Sequence, residues 1–370
     1  MSRARVEDRS DPVIEPSEPS EPTRARCARH DRLSRAFARA SEDRLRELLA
    51  RAPVQASSLG GETRVVALDG ARVFAKSIPL TDLERLPHHR HSTANLFVLP
   101  LHYQYGIGSV GFGAWRELSA HRMASEWVAR GECTQLPLLH HWRLLRRDAR
   151  APTSARLEEL ETSVARWGGS AAIRSRLQAR LAASADLVLF LEYFPITLDD
   201  AYRTQVGRDD ADGLRFVDAT ERDLTATMGF LNRHGLLHFD AHFGNVVTDG
   251  ARPFVTDFGL ALSDRFELSD DERAFHRRHR DYDRALLSAN LVAWALPASV
   301  SLEERTSLLR DFVSDRHYHP LSRVLEALLK RHAPVAHALR AFNAALVDRD
   351  LATPYPEAEI ARALALVTSR

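Results

Sequence analysis

The segment LLHFDAHFGNVVTDGARPFVTDFGLA, residues 236–261, constrains this chain more tightly than any other stretch. Three short apolar runs, each of strand rather than helix length, alternate with His238, Asp240, His242, Asn245 and Asp257. An aspartate in a loop is ordinarily a cap or turn residue. Here residue types, spacing and flanking strands agree with one another, so separate cap and turn roles explain the joint pattern poorly.

Composition bounds the rest. At 370 residues, 44% hydrophobic and 27% charged, the chain has the make-up of one or two globular domains plus tails. A net charge of +1 gives no broad field for nucleic acid. No run of 18 apolar residues and no hydrophobic leader are visible, so the expectation is a cytoplasmic protein without a membrane partner. Cys27 and Cys133 make neither a disulfide framework nor a cysteine zinc site. Of 51 basic residues only Lys76 and Lys330 are lysine. In so arginine-biased a chain a surviving lysine marks a job the planar guanidinium does badly. Lys330 lies in an Arg- and Leu-rich helical pattern and needs no such explanation.

Along the chain, residues 1–30 read as a disordered, proline-punctuated tail, and 31–53 as a helical extension ending at Pro53. From residue 54 short β-like runs are separated by Gly60-Gly61 and by Asp69-Gly70, the second a hairpin signal with Lys76 on its far arm. After a long connection, AWRELSAHRMASEWVARG reads as a helix closed by Gly131. LLHHWRLLRR and ADLVLFLEYF read as strands around a helical insertion at 147–185. DATERDLTATMGFLNRHG places Leu224, Met228 and Leu231 on one helix face, and beyond 271 the pattern is helical. The expectation is an α+β fold of two lobes: a β-rich N-lobe with one key helix at 54–194, and a mostly helical C-lobe at 195–370.

His238-x-Asp240, Asn245 five residues on, and Asp257-Phe258-Gly259 together resemble the catalytic loop and metal-binding motif of the protein-kinase-like superfamily. The resemblance implies a phosphotransferase using ATP and Mg2+. Asp240 would orient the acceptor hydroxyl and take its proton. Asn245 and Asp257 would supply oxygen ligands to magnesium, and His238 would brace the loop. Lys76, in Val-Phe-Ala-Lys, matches the lysine that holds the α- and β-phosphates. Its partner would be Glu117 or Glu126, with Glu117 preferred beside Trp115 and Leu118. Gly60 and Gly61 hold the place of the phosphate loop, and Glu192 to Phe194 that of the adenine-binding hinge.

The louder glycine cluster, GIGSVGFG at 106–113, follows Lys76 and cannot be that phosphate loop. Its plain reading is a turn feeding the Glu117 helix, and the alternative is a flap over nucleotide or acceptor. Several features depart from the regulated protein kinases. Phe239 stands where many have arginine, and no Ala-Pro-Glu follows Asp257-Phe258-Gly259. His242 is the residue that aminoglycoside phosphotransferases carry, whereas Asp-Phe-Gly-Leu-Ala has the protein-kinase form. The acceptor is thus a Ser or Thr hydroxyl, leaned to slightly, or a small molecule. A pseudokinase that binds nucleotide without turnover is a further reading, suggested by the reduced glycine loop. A metallohydrolase built on His238, Asp240 and His242 with His88, His89 and His91 is another, and it leaves Asp257-Phe258-Gly259 without a role.

Overall fold

A computed structural model describes residues 21–148, 151–206, 208, 210–296, 302–314 and 322–368. Two helices, α1 (Glu21–Arg39) and α2 (Glu42–Arg51), precede three strands, β1 (Val54–Ser58), β2 (Gly61–Leu68) and β3 (Ala71–Leu80). The connection 81–113 holds only the one-turn helix α3 (Asp82–Arg85) and two 3-10 turns before helix α4 (Ala114–Ala129). Strand β4 (Leu139–Arg146), the helical insertion α5 (Ser154–Arg166) and α6 (Ala171–Leu181), and β5 (Ala185–Glu192) follow. The five strands form one antiparallel sheet in the order β1-β2-β3-β5-β4.

Alternation along the strands decides what covers each face. On β5, Val188 and Phe190 turn toward Leu33 and Phe37 of α1 and Leu45 of α2. Leu187, Leu189 and Leu191 turn the other way, with Ile78 and Leu80 of β3, and meet Trp115 and Leu118 of α4. Lys76 shares the parity of Ile78 and Leu80, which aims it at α4. Its register neighbours are Thr63 on β2 and Leu189 on β5.

The second half is helical, as its period suggested: β6 (Ile196–Thr197), α7 (Leu198–Val206), α8 (Ala211–Arg233), then β7 (Leu236–Leu237), β8 (Val246–Thr248), β9 (Pro253–Val255) and β10 (Leu262–Ser263). Helices α9 (Asp270–Arg278), α10 (Tyr282–Ala295), α11 (Leu302–Val313), α12 (Arg323–Asp348) and α13 (Glu357–Thr368) complete it. Leu224, Met228 and Leu231 are buried on α8, on the face the sequence assigned to the core. The molecule is therefore α+β, with an antiparallel sheet in its N-terminal half and a helical C-terminal half. Among the described residues no helix is long and apolar enough to cross a membrane.

One boundary moves. Residues 21–30, expected as part of a disordered tail, belong to α1, while residues 1–20 lie outside the described residues. Pro22 is tolerated because it sits in the first turn, where the backbone N–H has no helical partner. Composition alone hid the helix because its ordering contact is ionic. Arg26 donates from Nε and Nη2 to the Glu192 carboxylate at 2.9 and 2.7 Å, and from Nη1 and Nη2 to Thr134 O and Leu136 O. Both side chains are under 10% exposed.

Arg26→Met should leave the Glu192 carboxylate buried and unpaired, at a cost of about 3–5 kcal/mol in urea unfolding. The Arg26→Met/Glu192→Met double variant should recover most of that loss. A double variant no more stable than Arg26→Met would contradict the pairing.

Candidate functional site

Lys76 is the hub of an ionic cluster in which Glu117 is buried and Asp257 keeps 40% of its side chain exposed. Its Nζ lies 2.7 Å from Glu117 Oε1 on α4 and 2.7 Å from Asp257 Oδ1, just past β9. Glu126, the other sequence candidate, is exposed on the same helix. Burial works against the Lys76 charge, but Asp257 and then Glu117 outweigh it and hold the ammonium above its ordinary range. Asp257 shows the reciprocal balance. Burial would raise its pKa, but Lys76 and the Gly259 N–H keep it below the usual carboxylate range. Burial pushes Glu117 upward against the pull of Lys76.

Asp240 and Asn245 form the second part of the site. Asn245 Nδ2 donates to Asp240 Oδ2 at 3.0 Å and to Asp240 O at 2.9 Å, which fixes the loop between them. Burial, and then the nearby charge of Asp257, push the Asp240 carboxyl up to about 8 against the Asn245 hydrogen bond. His238 is fully buried. Its Nε2 donates to Thr256 O at 2.9 Å, and its Nδ1 accepts from Asp240 N at 3.3 Å. Burial lowers it to about 4, so it braces the loop as a neutral ring. The Phe258 ring stands between His238 and His121, each centroid 5.0 Å away, tying the loop to α4.

The oxygens left over suit a hard cation. With its Nδ2 spent on Asp240, Asn245 offers Oδ1, and Asp257 offers Oδ2 beside the Oδ1 that faces Lys76. These residues fit magnesium. The histidine set does not assemble into a metal centre. Both nitrogens of His238 are used within the protein, and His91 packs against Trp115 at the α4 end of the sheet.

Backbone strain marks the same place. Phe239 and Asp257 have φ of 64° and 61°, left-handed values uncommon outside glycine. Two residues of α10, missed in the sequence, hold the first of them. Asp283 accepts from His238 N at 2.6 Å and Phe239 N at 2.9 Å, and Asn290 Nδ2 donates to Ala241 O at 3.0 Å. They lie seven residues apart, two turns along one buried face. Two buried polar residues sharing a face within so apolar a helix were the available signal. Phe239 itself packs on Tyr282 and Phe275.

Two expectations need correction. At the β1–β2 turn expected to hold the phosphates, the Leu59 and Gly60 amides are already engaged. Leu59 N donates to Glu159 Oε1 at 2.9 Å and Gly60 N to Ser58 Oγ at 3.0 Å, while Arg180 binds both carbonyls of Leu59 and Gly60. The insertion α5–α6 therefore roofs the turn. The cluster at 106–113 is more than a turn feeding α4. Gly106 passes so close to Asp240 that a β-carbon there would overlap Oδ1, and Gly111, at φ 76°, abuts Gly259 O in the same way. This strap crosses the site, pinned by Arg166 to Ile107 O and by Arg176 to Gly111 O. At the expected hinge, Glu192 N donates to Leu138 O at 2.8 Å, and the Phe194 ring stacks on Phe254.

In metal-free buffer Asp240 stays neutral in the folded chain up to about pH 8 and ionises near pH 4 when unfolded. Its contribution to stability should therefore fall as pH rises through that window. Unfolding of wild type and Asp240→Asn, compared from pH 5 to 9, should show wild type losing stability relative to the variant. A constant difference would contradict the raised pKa.

No protein-family model matches this chain, and no curated protein matches it.

Proposed function

We propose that the protein is an ATP-dependent phosphotransferase with a protein-kinase-like fold, moving the γ-phosphate of Mg-ATP to an acceptor hydroxyl. One observation carries the reading. Lys76 from β3, Glu117 from α4 and Asp257 from after β9 meet within 2.7 Å contacts, beside the Asp240–Asn245 pair. Four separate segments supply these groups, each of the type that phosphoryl transfer needs.

Lys76, oriented by Glu117, binds the α- and β-phosphates. Asp240 receives the acceptor hydroxyl and takes its proton as the ionised carboxylate, the form that the Asn245 hydrogen bond favours against burial. Asn245 and Asp257 hold Mg2+, which when bound neutralises phosphate charge. The Glu192 carbonyl and Phe194 backbone face the adenine edge. Alignment, exclusion of water and charge neutralisation supply the rate, with no covalent intermediate on the protein. The strap at Gly106 narrows the approach to Asp240, which favours a compact acceptor, as the His242 motif also does. The Asp-Phe-Gly-Leu-Ala form favours a protein Ser or Thr instead.

Asp240→Ala should lower Mg-ATP turnover by about 10²- to 10⁴-fold while ATP affinity stays close to wild type. Lys76→Arg should fail too, since the planar guanidinium cannot take the place of a point charge between two carboxylates. Parallel loss of ATP binding in Asp240→Ala would contradict the base role.

A further inference from the structure

Outside the Lys76–Asp240 constellation, Arg176 on α6 is the buried charge whose surroundings account for it least. It is 1% exposed. Its Nε donates to Gly111 O at 3.0 Å, but neither Nη1 nor Nη2 has a hydrogen-bond partner among the described residues. The carboxylate of Glu84 stands 3.8 Å from Nη1 and is committed elsewhere. Its Oε1 accepts from Ala114 N at 2.8 Å, and its Oε2 accepts from Thr81 N and Oγ1 at 3.0 and 2.7 Å. A guanidinium taken out of water with most of its donors unused is costly, and native interiors rarely keep one without a purpose.

Its position supplies the purpose. One turn along α6, Arg180 grips the carbonyls of the Leu59–Gly60 turn, whose amides are already spent on Glu159 and Ser58. On its other side, Arg176 holds Gly111, which abuts Gly259. A methyl group placed on Gly259 would lie 3.1 Å from Asp257 Oδ1 and 3.6 Å from Lys76 Nζ. The guanidinium, which lies over the Phe97 ring with neither Nη hydrogen-bonded, thus sits behind the part of the strap that meets Gly259, near a turn whose Leu59 and Gly60 amides are taken.

We propose that Arg176 binds the phosphates of the nucleotide, supplying from the 147–185 insertion the grip that the β1–β2 turn does not provide. The inference rests on the phosphotransferase reading. Two parallel N–H donors on a planar fork match two phosphate oxygens, and the pair is charge-assisted. Entry requires the 106–112 strap to swing outward. The hydrogen bonds that hold it to the rest of the chain are Arg166 to Ile107 O, Ile107 N to Tyr105 O, Val110 N to Tyr103 Oη, and that of Arg176 itself to Gly111 O, so that the swing also has to free the packed Ile107, Val110 and Phe112 side chains. The strap and the phosphate therefore compete for the same arginine.

The test is affinity for Mg-ATP and for adenosine, measured on the full chain as wild type, Arg176→Gln, Arg176→Lys and Lys76→Met. Arg176→Gln should weaken ATP by about 10- to 100-fold, the worth of a charge-assisted hydrogen bond. Adenosine affinity should stay unchanged, and Arg176→Lys should fall between. Melting without ligand is recorded for every variant, since Arg176→Gln also takes a cation from the buried Glu84 carboxylate, and its unchanged adenosine affinity is what separates lost phosphate grip from misfolding. Wild-type ATP affinity in Arg176→Gln, or adenosine affinity falling in step with ATP, would overturn the assignment. If wild type binds neither ligand and Lys76→Met changes nothing, the phosphotransferase reading itself falls. ATP binding that depends on Lys76 but not on Arg176 overturns the present inference alone.

Discussion

A lysine ammonium held between two carboxylates is the contact on which the arrangement depends. Each ion costs several kcal/mol to bury, and the cost is offset only while Lys76, Glu117 and Asp257 keep their geometry. The three come from the sheet, from the helix packed on it and from the start of the helical half, so the cluster ties both halves of the chain to one point. It also sets the charge of its neighbourhood. His121 beside it is driven down to about 3 by burial and then by Lys76, and stays neutral. Asp240 is driven up by burial and then by the Asp257 charge. Two carboxyls of the same kind thus acquire opposite character from their surroundings, one firmly ionised and one that holds its proton more tightly.

Around this centre the protein uses strained backbone and then restrains it. The left-handed Phe239 and Asp257 are costly alone. Asp283 and Asn290 on α10 hold the loop that contains the first, and the Asp257 carboxylate accepts from Gly259 N to close the turn after the second. Above, the strap 106–113 and the helices α5 and α6 close the other side through arginine-to-carbonyl bonds. Guanidinium groups reaching backbone carbonyls are a recurring joint in this chain, from Arg26 at Leu136 O to Arg180 at Gly60 O. This fits a composition in which arginine has displaced lysine almost everywhere except at the centre.

Much of this was legible in the residues. Lys76 meets Glu117 and Asp257, and Asp240 meets Asn245, as the resemblance implied, with alternation on β3 and the helical period of α4 fixing which way two of them point. The lone central lysine in an arginine-rich chain was the strongest compositional clue. What stayed hidden depends on long-range contact. Arg26 finds Glu192 166 positions away, and no local pattern in residues 21–30 announces it. The strap was visible as a glycine cluster, but glycines permit a close approach without naming what is approached. The same holds for the β1–β2 turn, where Gly60 and Gly61 stand in place while Glu159 of α5, Arg180 of α6 and Ser58 of β1 take up polar groups of Leu59 and Gly60. Asp283, in contrast, carried a readable signal in the apolar helix around it.

The most direct measurement is phosphate transfer from γ-labelled ATP with Mg2+, with Asp257→Ala as the blank and Ser/Thr peptides, aminoglycosides and the protein itself offered as acceptors. The account predicts ATP consumption by wild type well above the blank, with label on one class of hydroxyl. ATP consumption equal in wild type and Asp257→Ala across all acceptors would contradict it.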